Sequence, residues 1–245
     1  MSQSTNLLLL FVFPLVSSCQ TSYSVRPQLS LQSVFELDVQ EPSGLSPYLD
    51  HSLITVSDRN GKAYVLDTLG HLSTTIDLNG EDLEGVSFNP LDSLIYAVDE
   101  SDATLRSFSI RGEKVDSWQI FKKGGDSSLE GCSVDSKHQT IYLLKEKSHG
   151  LLIRLDLTTG KQSEHRLTFA EDYSGVYYDA VLDKLWIVSH ESKSVNLCAL
   201  NGQLERSFGI DVKQAEGIFV NHESSSIYVI SDSQEKLFKF RLPEL

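Results

Sequence analysis

An acidic or hydroxyl residue followed by glycine recurs five times along the chain, and this repeat constrains the fold more than any other feature. The five pairs are Ser43-Gly44, Glu84-Gly85, Glu130-Gly131, Ser174-Gly175 and Glu216-Gly217, with the glycines 41, 46, 44 and 42 residues apart. Periods in this range suit propeller blades or two-helix repeats. The residues between the glycines decide for blades. Each glycine opens a short alternating run, such as Val86–Asn89 or Ile218–Asn221, and a turn follows. A more apolar run comes next: Ser52–Ser57, Leu94–Val98, Thr140–Leu144, Leu185–Ser189 and Ile227–Ser231. These runs are rich in β-branched and aromatic residues and too short for helices. Third strands are expected at Ala63–Asp67, Thr104–Ile110, Leu152–Leu157, Ser194–Leu200 and Lys236–Arg241, and in the first four units a Gly turn (Gly70, Gly112, Gly160, Gly202) then leads into a fourth. Four antiparallel strands in each unit make one blade. A sandwich would also have short strands, but not five units in one internal order.

The expected fold is therefore all-β: a five-bladed β-propeller over residues 33–245. The fifth unit ends at Leu245 after its third strand. Its missing fourth strand is expected from Ser33–Gln40, which precedes the first pair and alternates well. Sharing a blade between the chain ends removes an open sheet edge. A sixth blade would need residues the chain lacks.

The N-terminus reads differently. Residues 7–16 (LLLLFVFPLV) form an apolar run with the length of a signal-peptide core. Val16-Ser17-Ser18-Cys19 follows and resembles a bacterial lipobox, in which the cysteine is lipidated, although Met1–Asn6 lacks the usual basic residues. Residues 1–19 are read as a lipoprotein signal with Cys19 as the lipidated residue, and residues 20–32 as a tether. The body would then face the periplasm or the exterior, anchored to a membrane. Cys132 and Cys198 fall in different repeats and are expected as buried thiols rather than a disulfide. The net charge of −13 argues against nucleic acid, whose phosphates demand Lys and Arg.

The first strand of a propeller blade lines the central channel. Repeat symmetry therefore places Ser43, Glu84, Glu130, Ser174 and Glu216 in a ring near one mouth. Carboxylates held together resist ionisation unless a cation neutralises them. Oxygen-only ligands suit Ca2+ or Mg2+ rather than zinc or copper. Glu84, Glu130 and Glu216 are thus candidate metal ligands and Ca2+ the candidate ion, with Ser43 and Ser174 beside them. The competing expectation is that each Glu accepts backbone amides of the next blade, with the adjacent Gly serving a bulge or a close approach. A second set, Asp58, Asp99-Glu100, Lys145-Glu146, His190-Glu191 and Asp232, lies where the second strands end. It is read as a binding surface on the same face, or as solvated turn residues.

The units Asp82-Leu83-Glu84-Gly85-Val86, Leu129-Glu130-Gly131, Tyr173-Ser174-Gly175-Val176 and Gln214-Ala215-Glu216-Gly217-Ile218, together with Lys145-Glu146-Lys147 and Ser231-Asp232, resemble the SdiA-regulated (YjiK-like) β-propeller family in their order. The resemblance runs from about residue 33 to the end. It implies an envelope-associated bacterial propeller with no established catalytic activity, some members being linked to calcium regulation.

No catalytic residue emerges from motifs. There is no Gly-x-Ser-x-Gly, no His-Glu-x-x-His and no phosphate-cradling Gly loop. Of seven scattered histidines only His190 falls where the ligand face is expected. The expected function is a monomeric, non-enzymatic envelope protein that binds a divalent cation or a protein partner at the channel mouth. The alternatives are a metal-dependent propeller hydrolase of lactonase or phytase type, and an interaction scaffold.

Overall fold

The computed structural model describes Met1 and residues 26–122, 128–146 and 150–245. Cys19, Gly124-Gly125, Lys147 and His149 lie outside the described residues, as does the segment read as a signal peptide beyond Met1. Among the described residues twenty strands form five four-stranded antiparallel sheets. The first of these strands is β1 (Leu31–Glu36). Blade 1 holds β2 (Pro42–Pro47), β3 (Leu53–Ser57), β4 (Lys62–Leu66) and β5 (Leu72–Asp77). Blade 2 holds β6 (Leu83–Asn89), β7 (Leu94–Asp99), β8 (Thr104–Ser109) and β9 (Lys114–Gln119). Blade 3 holds β10 (Leu129–Asp135), β11 (Thr140–Lys145), β12 (Leu151–Asp156) and β13 (Gln162–Arg166). Blade 4 holds β14 (Gly175–Asp179), β15 (Lys184–Ser189), β16 (Ser194–Cys198) and β17 (Leu204–Gly209). Blade 5 holds β18 (Ala215–Asn221), β19 (Ser226–Ser231) and β20 (Lys236–Arg241).

β1 supplies the missing strand of blade 5, pairing Glu36 with Lys236 and Val34 with Phe238. The shared strand expected at residues 33–40 is present, displaced toward the N-terminus. Engagement begins earlier, inside the segment read as a tether. Gly209 N–H donates to the Pro27 carbonyl at 2.8 Å, Leu29 N–H donates back to Gly209 at 2.9 Å, and the Arg26 guanidinium reaches the Ser192 carbonyl.

Burial explains the composition of each strand. The second strands β3, β11 and β19 are buried along their whole length, because a neighbouring blade covers each face. Strands covered on both faces read as continuous apolar runs rather than alternating ones. Fourth strands such as β13 are exposed throughout and carry Gln, Ser, Glu, His and Arg. Each seam between blades holds its own apolar cluster. Ile54, Val56 and Val65 meet Val86, Phe88 and Ile95 between blades 1 and 2. Leu37, Val39 and Leu53 meet Phe219 and Ile230 where the ring closes. Cys132 and Cys198 are buried free thiols, and burial pushes both up in pKa.

The repeat glycines form a ring of backbone contacts around the channel. A Cβ on Gly44 would stand 2.7 Å from Val86 N, and one on Gly85 2.4 Å from the Glu130 carbonyl oxygen. The same holds from Gly131 onto Gly175, from Gly175 onto Glu216, and from Gly217 back onto Gly44. No side chain fits between the first strands, so they close on one another through glycine alone. The pairing register also slips beside the repeat motif in blades 1, 2, 3 and 5. Such a bulge re-aims the neighbouring side chains.

Candidate functional site

The residue before each repeat glycine stands toward one end of the channel, here called the upper mouth, with a bulge beside it in blades 1, 2, 3 and 5. Ser43 and Ser174 are spent on structure there. Ser43 Oγ donates to the Glu84 carbonyl at 2.5 Å and stands 3.1 Å from Glu84 Oε2, and Ser174 Oγ donates to the Ala215 carbonyl at 2.5 Å. Side-chain stapling between blades is therefore done by hydroxyls, beside the backbone bond from Gly131 N–H to the Ser174 carbonyl at 2.9 Å. Deeper in the channel, Ser46, Ser87 and Ser133 repeat it by accepting the N–H of Phe88, Val134 and Tyr178 in the next blade. Among the described residues no backbone amide of a neighbouring blade reaches the carboxylates of Glu84, Glu130 or Glu216.

Those three carboxyls instead share a desolvated, like-charged space. Burial first, then Asp82 and Asp58, raises Glu84 to about 8. Burial and the carboxylates of Glu84, Glu146 and Glu216 raise Glu130 further still. Burial raises Glu216 to about 7, although His190 beside it pulls the other way.

The second set converges on the same mouth through a repeated link. The residue after each second strand donates its N–H to the residue two places before the repeat motif. Asp58 binds the Glu41 carbonyl, Glu100 that of Asp82, Glu146 that of Ser128, and Asp232 that of Gln214. In blade 4 the side chain replaces the carbonyl: His190 N–H donates to Asp172 Oδ2 at 3.0 Å. Asp58, Glu146, His190 and Asp232 thus occupy equivalent positions. Asp99 does not. It pairs with Thr104 as the last residue of β7, one place too early. Its fully buried carboxylate is consumed by Arg106 at 2.6 Å, by Ser101 at 2.5 Å and by the Glu81 N–H at 3.1 Å. Glu100 is the residue that belongs at the mouth.

Two compact groupings result. One oxygen from each of Asp82, Glu84 and Glu100 lies within 4.8 Å of the others, as do ligand atoms of Glu146, Asp172 and His190. Around the first grouping, Asp58 is raised to about 6 by burial, Glu41 and Asp232. Buried oxygens Asp58 Oδ1 and Asp232 Oδ1 have no hydrogen-bond partner. Glu100 belongs to the second set expected from sequence, whereas Asp82 and Asp172 do not. Their signal was the repeat position two places before the motif.

The second grouping has acid–base character. His190 Nδ1 stands 2.6 Å from Asp172 Oδ2 and 3.9 Å from Glu216 Oε1. The hydrogen bond to Asp172 raises the imidazole to about 9 against the opposing effect of burial. At neutral pH His190 is a cation, which makes it a proton donor and anion partner rather than a base. Replacing Asp172 with Asn is expected to return the His190 pKa toward 6.5, read by NMR titration of the imidazole protons.

Five four-stranded blades closed by a shared strand, with carboxyls gathered at one end of the channel, define a β-propeller with an acidic mouth. The SdiA-regulated family matches residues 28–241, and the chain belongs to that family. Among solved structures, Myxococcus xanthus glutaminyl cyclase superposes with a TM-score of 0.70 at 12% identity, over 89% of this chain and 97% of that one. A chain of a nidogen/laminin complex gives 0.61 at 14%, over 82% and 76%, and a streptogramin B lyase 0.53 at 14%, over 86% and 73%. At these identities the likeness is one of fold.

Proposed function

We propose that this propeller is a non-catalytic envelope protein that holds a divalent cation, Ca2+, at its upper mouth. The single observation that carries this reading is the all-oxygen grouping of Asp82, Glu84 and Glu100, with the unpartnered Asp58 oxygen in the same desolvated, like-charged space. Hard oxygen donors and several carboxylates are what Ca2+ selects. Glu130 and Glu216 lie around the same mouth and contribute field. Lipidation of Cys19 and attachment to a membrane complete the proposal, supported by the apolar segment at residues 7–16.

Calorimetric titration of residues 20–245 with Ca2+ at about pH 8 tests it. Saturable heat at one ion per chain is expected, and Glu84→Gln should weaken binding at least about tenfold by removing a direct charged ligand. Absence of heat up to millimolar Ca2+ would remove the cation and leave an interaction scaffold. The competing hydrolase reading draws on the cationic His190 beside Glu216. Metal-dependent turnover of lactones or phosphate esters, lost in Glu84→Gln, would favour it.

A further inference from the structure

A large cavity lies at the opposite end of the channel. A funnel of about 960 Å3 opens among the loops that join first and second strands. Its walls are Phe88, Val134 and Tyr178, and its floor carries the hydroxyls of Ser46, Ser87 and Ser133. Those hydroxyls accept the next blade's N–H groups.

The five-fold pattern breaks at this depth. The serine position two places after the repeat glycine becomes Tyr177 in blade 4 and Phe219 in blade 5. Phe219 faces Pro47, which has no N–H for a serine to bind. The two rings pack edge to face at 5.3 Å and stand where the funnel meets a neighbouring hollow, which Tyr177 and Pro47 also line. Among the described residues the Tyr177 hydroxyl has no hydrogen-bond partner, and burial pushes its pKa up.

The rim breaks symmetry too. Six places after each repeat glycine stand Asp50, Leu91, Lys137, Val181 and Glu223. Leu91 and Val181 are 70% and 71% exposed, more than any other large apolar side chain of the blades. Within the funnel itself, Asp135 is paired with His138 at 2.6 Å and Asp183 accepts the Tyr178 hydroxyl at 3.0 Å. Lys137 makes no ion pair among the described residues. It is therefore a cation free to meet an anionic group on an aromatic-walled, hydroxyl-floored cavity with an apolar lip, where the Asp183 carboxylate, bound only by a neutral hydroxyl, keeps its own charge.

We infer that the lower mouth is a second ligand site, for an amphipathic small molecule with an aromatic or apolar body and an anionic group. The body would lie against Phe88, Leu91 and Tyr178, the anion would meet Lys137, and the Tyr177 hydroxyl would offer a hydrogen bond within. A preformed concavity with apolar walls and few convergent polar groups is the usual form of such sites. The inference stands independently of the cation at the upper mouth.

Two fluorescent probes test it on the folded chain: 8-anilino-1-naphthalenesulfonate, which is anionic, and N-phenyl-1-naphthylamine, its uncharged relative. Both are expected to bind saturably at one per chain. Leu91→Asp, at an exposed position that the fold tolerates, should weaken both about tenfold. Lys137→Glu should weaken the sulfonate about fivefold and leave the uncharged probe unaffected. Val115→Asp, on the outer strand β9, should change neither. Unsaturable enhancement, or equal weakening by Val115→Asp, would overturn the site. Equal loss of both probes in Lys137→Glu would overturn its assignment to anions.

Discussion

In the presence of a chelator, the melting temperature falls by about 6–12 °C as the pH is raised from about 5 to about 8. The cause is the set of carboxyls at the upper mouth. Their folded pKa values lie above the unfolded ones, so the stability they contribute is complete below about 4.5 and is lost as pH rises through the folded values. Asp58 titrates at about 6, Glu216 at about 7 and Glu84 at about 8, which sets the window. Moving Glu216 alone from 4.5 to about 7 makes its ionised form about 3 kcal/mol costlier in the fold. His190, raised to about 9 by Asp172, acts in the same direction at the upper end of the window. Asp172 is lowered by that same pair, so its contribution is lost only toward acid pH, outside the window. Millimolar Ca2+ at about pH 8 should restore most of the loss, since it binds the ionised form. The double variant Glu84→Gln, Glu216→Gln should flatten the profile and lose the Ca2+ effect. Scanning calorimetry at several pH values measures both, and a flat wild-type profile would place these carboxyls in contact with bulk water.

Gly217→Ala is expected to destabilise the protein by about 3 kcal/mol or more, or to prevent folding. Its Cβ would stand 2.5 Å from the Gly44 carbonyl carbon and 2.6 Å from Leu45 N. Both atoms are backbone, so nothing flexible can yield, and the seam between blades 5 and 1 must open. Gly160→Ala is the contrast. Nothing lies within 4 Å of its added Cβ, and only the left-handed φ of 69° is strained, at about 1 kcal/mol. Urea denaturation of the two variants separates close approach from backbone strain; equal losses would deny the glycine ring its role.

The architecture was legible because each blade repeats one instruction. Apolar second strands, alternating third strands and Gly turns recur at a near-constant period, and the strand missing at one end was available at the other. The ring of Ser43, Glu84, Glu130, Ser174 and Glu216 followed from symmetry alone. Asp99 shows where symmetry needs atomic detail. Two acidic residues follow Val98, and only the pairing of Asp99 with Thr104 reveals that Glu100 is the one at the mouth. Asp82 and Asp172 were missed because they precede the repeated pair by two places, where the equivalent positions hold Glu41, Ser128 and Gln214 and no one residue type runs through all five units. The lower funnel was missed for a different reason. Its signal is the departure of Tyr177 and Phe219 from serine, and a search for repeated residues passes over departures.

The shared blade has a consequence in time. β1 leaves the ribosome well before β20, yet they hydrogen-bond as neighbours. Until β20 has been made, β1 has no partner and offers an unpaired edge, a surface open to wrong pairing. The first and last seams can close only together, so ring closure is expected to be a late, long-range step that sets the pace of folding. A chain truncated before Lys236 would lose more than a C-terminal strand: its own beginning would be left without a place to bind.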